Sequence, residues 1–297
     1  MSSKNRLRRT MMFLSTQRAG SIRDAYIYAP DSIIFDLEDA VAVSEKDSAR
    51  VALYHVLKYV DYKGIERLVR INGADTPFWK EDIRASVAAG CDGIRIPKCE
   101  TPHDVEIVEE QVINAEKEFN RPIGSTLLQV AIETPLGVRN AYELSMASER
   151  IFGISIGAGD FMRSMHARRR DDGAELYAAR AQLVLAARAA GVQCYDTVHT
   201  KVKDYEGLER DTQLIYDMGF DGKSVIHPSQ IPIIHKVFTP TAQEIEKAQK
   251  IISKLSNEAK EGVGVFMVGE DMIDVAMLEG AKRIMALAEA AGAYKGE

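Results

Sequence analysis

Short apolar runs recur along the chain, separated by longer stretches whose apolar positions follow a helical spacing. The runs fall at 10–14, 32–35, 67–71, 93–96, 127–132, 151–156, 192–195 and 223–226. Each has the length of a strand. Several are apolar without alternation, which marks a strand buried on both faces of a parallel sheet. Between them, segments 44–58, 101–118 and 176–190 are amphipathic. Thr101 reads as an N-cap with Pro102 at the first helical position, and Gly191 stops the third segment. The junctions Ala189-Ala190-Gly191-Val192 and Met218-Gly219-Phe220-Asp221-Gly222 repeat the helix–Gly–strand loop of a parallel α/β sheet.

About eight such alternations in roughly 240 residues predict an α/β fold, a (β/α)8 TIM barrel, over residues 1–238. A doubly wound open sheet would normally carry fewer strands and a Gly-rich first turn; here Ser15-Thr16-Gln17-Arg18-Ala19-Gly20 follows the first run. Residues 239–297 read as a C-terminal helical extension or lid. Within it, 242–259 is an amphipathic helix, 262–269 a small hairpin or loop, and 272–291 a closing helix.

The net charge of −6 argues against a nucleic-acid partner. Lys4, Arg6, Arg8 and Arg9 form a local basic patch, read either as a solvated leader or as a site for an anionic ligand. Segment 10–16 is too short for a secretory core, and no run approaches the roughly 20 apolar residues of a membrane helix. Cys91, Cys99 and Cys194 lack paired spacing, which fits structural thiols in a reducing cytoplasm.

In a barrel, the C-terminal ends of the strands form the functional face. Read in order, those ends are polar: Asp36-Leu37-Glu38-Asp39, Arg70-Ile71-Asn72-Gly73, Pro97-Lys98, Glu133, Asp160, Asp196-Thr197 and His227-Pro228. Singly, each acid reads as an ion pair or a helix cap. Their convergence on one face points to a site instead. Glu133 and Asp160 close neighbouring strands, so together they can hold one divalent cation. Oxygen-only ligands suit a hard ion such as Mg2+. The histidines lack zinc spacing. Lys98 opens an alternative, a Schiff-base nucleophile at a strand end, but the acids around it favour a charged lysine.

These same residues carry a resemblance over nearly the whole chain. Leu7-Arg8-Arg9-Thr10-Met11-Met12-Phe13, Phe35-Asp36-Leu37-Glu38-Asp39-Ala40-Val41, Val69-Arg70-Ile71-Asn72-Gly73, Ile94-Arg95-Ile96-Pro97-Lys98, Ala131-Ile132-Glu133-Thr134, Gly157-Ala158-Gly159-Asp160 and Lys223-Ser224-Val225-Ile226-His227-Pro228 resemble the HpcH/HpaI-type aldolase and CoA-ester lyase superfamily, and within it the citrate lyase β subunits. The resemblance implies a Mg2+-dependent lyase that splits a carbon–carbon bond in a 3-hydroxy-acyl thioester. It implies Glu133 and Asp160 as metal ligands, with Glu133 also near substrate, and Arg70 on the substrate's carboxylate or carbonyl oxygen. Asp36, Asp39 and Lys98 then form a supporting layer. Asp274, in a lid that reaches a neighbouring subunit, or a water on the metal, protonates the departing enolate.

The implied reaction is cleavage of citryl thioester to oxaloacetate and acetyl thioester, on coenzyme A or an acyl-carrier protein. A stand-alone citramalyl-CoA or malyl-CoA lyase is the close alternative, and a non-catalytic binding barrel the remote one. A homotrimer and citrate lyase α and γ subunits are the implied partners. Leu14-Ser15-Thr16 stands where many β subunits have Val-Pro-Gly, Gly159 where many have Glu, and Val198-His199 where many have Val-Tyr. These departures bear on the thioester arm and leave the proposed metal ligands in place.

Overall fold

The computed structural model describes residues 3–258, 265–268 and 271–294. It divides into two compact units, Met1–His235 and Lys236–Glu297.

In the first unit, eight parallel strands close into a barrel in sequence order. They are β1 (Thr10–Ser15), β2 (Ser32–Asp36), β3 (Glu66–Arg70), β4 (Gly93–Ile96), β5 (Leu127–Ile132), β6 (Ile151–Ile156), β7 (Gln193–Asp196) and β8 (Gly222–Val225). Closure comes from pairing β1 with β8, Met11 opposite Ser224. Each apolar run of the sequence became a strand because the helices cover one face and the barrel interior the other. The lower interior is filled by Met11, Ile34, Leu68, Leu127, Phe152 and Tyr195. A side chain on Gly222 would overlap the Arg8 carbonyl oxygen, so glycine lets the closing strand approach.

The helices begin and end on the expected signals. Pro102 opens the helix Pro102–Glu118, and Thr101 N–H donates to Asp104 Oδ2 at 2.8 Å. Gly191, with φ +71°, ends the helix Tyr177–Ala190 in the left-handed region that side chains resist.

The basic N-terminus is neither a solvated leader nor an anion site at Arg8 and Arg9. Arg8 is fully buried at the lower end of the barrel. Its Nε and Nη2 donate to Glu66 at 2.7 and 2.6 Å, and Nη1 donates to Gln193 Oε1 at 2.6 Å. Arg9 pairs with Asp31. The three cysteines are free and buried, and burial pushes the Cys91 thiol up to about 12.

The second unit contains the helices Ala242–Glu258 and Val275–Ala290 around Ala248, Ile251 and Ala281. An antiparallel hairpin, β9 (Val265–Val268) and β10 (Asp271–Asp274), lies between them in sequence. The expected closing helix therefore starts later than 272. A strand needs a partner for its backbone groups, and β9 finds one in the residues that follow it. Asp274 ends β10; its side chain lies outside the described residues.

Candidate active site

At the upper rim of the barrel a cleft of about 460 Å3 opens, lined from all eight strands or the residues directly after them. Phe13, Asp36, Asp39, Arg70, Arg95, Glu133, Asp160, Thr197 and Ser224 all face it. Parallel strands in register explain the convergence. Asp36 pairs with Arg70, and Arg70 with Arg95, so three adjacent strands present charge at one level.

Arg70 is held from two sides. Its Nε and Nη2 donate to the two oxygens of Asp36, each at 2.7 Å, and Nη1 lies 2.9 Å from Glu38 Oε2. Burial opposes the charge of both Arg70 and Asp36. Their mutual hydrogen bonds outweigh it, so the guanidinium is held above its ordinary range and the Asp36 carboxyl below. Asp36 itself is fixed by the backbone N–H groups of Glu38 and Ala40. The fork that would clasp a substrate carboxylate side-on is thus taken by Asp36, and Arg70 presents its outer edge. Its guanidinium also stands 5.0 Å from the centre of the Phe13 ring.

Lys98 follows β4 with φ +51°. Its Nζ lies 2.6 Å from Glu38 Oε1, 3.8 Å from Asp39 and 3.9 Å from Asp160. Burial works to lower its pKa, but the Glu38 hydrogen bond outweighs it and the amine stays charged. Glu38 therefore bridges Arg70 and Lys98. Asp39 is mostly exposed, 4.0 Å from Arg70.

Glu133 and Asp160 come together as expected. Glu133 is buried, and burial first, then the charge of Glu38, pushes its carboxyl up to about 8. A hydrogen bond with Asp160 acts in the same direction. Gly157 makes room: a Cβ there would stand 2.6 Å from Glu133 Cγ. Asp160 lies in the first turn of the helix Ala158–Ser164, 2.8 Å from Arg163. That helix is tied to β7, because Ala158 N–H donates to Thr197 Oγ1 at 3.2 Å. Two carboxylates so close repel when both are ionised, and a divalent cation between them removes the conflict. The donor set, oxygen only and open to the cleft, fits Mg2+.

Not every strand-end charge belongs to the site. Asp196 is buried in a cluster with Arg180 and Lys223. His227 caps the turn that begins at Pro228. Two residues were given no role by the reading of strand ends. Glu38 sits inside the acidic run after β2. Arg95 lies one residue short of the end of β4, a lone charge among Gly93, Ile94 and Ile96; an ion inside a buried strand was the available signal.

A model of the HpcH/HpaI aldolase/citrate lyase family matches residues 9–228. The chain belongs to this family. The family match, together with citrate lyase beta subunits at 39–48% identity, makes it a lyase. Citrate lyase subunit beta of Leuconostoc mesenteroides subsp. cremoris is 48% identical over 288 residues, covering 97% of this chain and 95% of that protein. A (3S)-malyl-CoA thioesterase of Cereibacter sphaeroides is 35% identical over 287 residues, covering 97% and 96%. Among solved structures, the protein CitE from Mycobacterium tuberculosis in complex with magnesium, acetoacetate and coenzyme A superposes with a TM-score of 0.76 at 28% identity, covering 95% of this chain and 98% of that one. The matched relatives thus span more than one reaction, and family membership does not by itself choose the substrate.

Proposed function

We propose that the chain is a Mg2+-dependent carbon–carbon lyase that cleaves citryl thioester to oxaloacetate and acetyl thioester. The observation that carries this reading is the paired Glu133 and Asp160 in the same cleft as the anchored Arg70. The 48% identity to a citrate lyase β subunit, and the magnesium in the CitE complex, support it.

Glu133 and Asp160 would hold the cation, which supplies Lewis acidity toward the hydroxyl and carboxylate oxygens of the hydroxy-acyl half. The chain's own residues do the rest. Arg70 offers a fixed positive charge to an oxygen that gains charge as the bond breaks, and Asp36 keeps that charge aimed. Glu38 balances Arg70 and Lys98, so the site presents one directed cation rather than a diffuse positive field. The hydroxyl proton passes to water as the carbon–carbon bond breaks, and Asp274 donates the proton that converts the departing enolate to the acetyl thioester. It acts from a neighbouring subunit of a homotrimer in the cytoplasm. The thioester is carried by coenzyme A or an acyl-carrier protein, with citrate lyase α and γ subunits as partners in the latter case.

The test is turnover of citryl-CoA, citramalyl-CoA and malyl-CoA by the purified chain, with and without Mg2+. Mg2+-dependent release of oxaloacetate from citryl-CoA is the expected result. A preference for citramalyl-CoA or malyl-CoA would move the assignment to a stand-alone lyase. Release of free malate would make it a thioesterase like the Cereibacter relative. No turnover of any ester would leave a binding barrel.

A further inference from the structure

The floor of the cleft contains a charge that the rim does not use. Arg95 lies on β4 with only 3% of its surface exposed, between Arg70 and Gln129 in the barrel register. Its Nη1 donates to Gln129 Oε1 at 3.1 Å. Its Nε is buried with no hydrogen-bond partner. Among the described residues no carboxylate lies within ion-pair distance of it, whereas neighbouring Arg70 has Asp36 and Glu38. The Phe13 ring, centred 5.2 Å away, supplies only a weak neutral partner. Burial, and then repulsion from Arg70, outweigh the attraction of Glu133, Glu38 and Asp36 from beyond ion-pair distance and lower its pKa to about 10, still well above neutrality. On the opposite wall, four strands away, Ser224 Oγ is also buried without a partner, and Ser224 lines the same cleft.

A buried guanidinium without a counter-ion is strongly unfavourable, and so is a buried hydroxyl with no partner. Replacing either by an apolar side chain would remove the penalty. Their presence at the base of an open cleft makes sense if an anion arrives there with the ligand. Glu133 cannot serve as that anion once a cation engages it together with Asp160.

We propose that Arg95, with Ser224, receives a second carboxylate on the keto-acid half of the substrate, and so selects a dicarboxylic keto acid over a monocarboxylic one. This rests on the lyase reading given above. The carbinol carbon of a 3-hydroxy-acyl thioester bears four groups. The hydroxyl and one carboxylate turn to the rim. The thioester arm must lead outward, because its carrier is too large for the cleft. The fourth group points to the floor. In citryl thioester it is a carboxymethyl group, in citramalyl a methyl, in malyl a hydrogen. Only the first satisfies Arg95 and Ser224; the others leave both unpaired, which is the strongest form of discrimination a polar pocket offers. Arg95 is thus a specificity-determining residue.

The experiment compares kcat/KM for citryl-CoA and citramalyl-CoA, together with calorimetric binding of oxaloacetate and pyruvate in saturating Mg2+. In Arg95→Met the citryl-to-citramalyl ratio should fall by about 100-fold, and oxaloacetate should lose its advantage over pyruvate. Arg95→Lys, which restores a charge, should recover part of the ratio. Ser224→Ala should lower it by roughly tenfold. A folded Arg95→Met that loses both esters equally, or keeps the ratio, overturns the proposal. If Arg95→Met does not fold, unchanged ratios in both Arg95→Lys and Ser224→Ala overturn it. Wild-type protein that turns over no ester sinks the lyase reading alone, because the binding arm still stands. Wild-type protein that binds oxaloacetate no more tightly than pyruvate sinks this inference alone.

Discussion

Asp36 grips Arg70 edge to edge, with both carboxylate oxygens 2.7 Å from guanidinium nitrogens. The pair spans two neighbouring strands, β2 and β3, so the barrel register itself aims the arginine. Asp36→Asn should release that aim while leaving the strands paired. The expected result is a fall in kcat of roughly 100-fold with little change in circular dichroism. A fall below about threefold would mean that Glu38 alone suffices to orient Arg70.

Glu133→Gln and Asp160→Asn should each weaken Mg2+ binding by at least about tenfold, measured by calorimetry. Mg2+ should also cease to raise the melting temperature of either variant, because only a ligand bound to the folded state stabilises it. Binding like that of the unmutated chain in both variants would remove these carboxylates from the metal site.

Gly157 and Gly159 lie two residues apart and differ in surroundings. A Cβ at Gly157 would press on Glu133, 2.6 Å from Cγ and 2.9 Å from Oε1, whereas nothing lies within 4 Å of one at Gly159. Gly157→Ala should therefore cost about 1–3 kcal/mol in stability and weaken Mg2+ binding, while Gly159→Ala should do neither. Urea unfolding and calorimetry of the two variants make the comparison. Equal effects would mean that Glu133 moves freely.

Glu38 holds the Lys98 amine in its charged form, and a charged lysine is a poor Schiff-base nucleophile. Borohydride added with oxaloacetate or pyruvate should leave the protein mass unchanged. A reduced adduct on Lys98 would restore the Schiff-base chemistry that a strand-end lysine allows.

Asp211 meets Arg180 at 2.9 Å and Lys223 at 2.7 Å beneath the end of β7. Burial opposes its charge, but Lys223 and then Arg180 outweigh it and hold the carboxyl well below its ordinary range. A carboxyl depressed in the folded state stabilises above the unfolded value of about 3.9, and that stabilisation is lost as the pH falls further. Asp211→Asn should cost about 3 kcal/mol near neutrality and flatten the decline in stability below about pH 4. Urea unfolding from pH 7 down to pH 3 tests both; an unchanged acid limb would assign the decline to other carboxylates.

The barrel was legible in the sequence because each strand is buried on both faces, and double burial writes a continuous apolar run. The rim was legible because a charge that ends such a run has few structural reasons to be there. The meaning of each charge was less visible. Asp36 and Asp196 both end strands, yet one holds Arg70 at the cleft and the other is buried with Arg180 and Lys223. Only the inward or outward direction of the side chain separates them, and that depends on neighbouring strands. Arg8 read as part of a surface patch because its partners, Glu66 and Gln193, lie 58 and 185 residues away. The hairpin before the last helix was misplaced for a similar reason, since each of its strands is defined by the other.

Arg8 also sets an order of events during synthesis. It leaves the ribosome before either partner, for Glu66 arrives with β3 and Gln193 with β7. β1 cannot pair with β8 until Lys223 and Ser224 have been made. For most of translation the first strand therefore has one open edge and an incompletely neutralised charge at its base. Long-range pairings of this kind form late and slowly. The lower end of the barrel is thus sealed at the close of folding, by residues that waited longest for their partners.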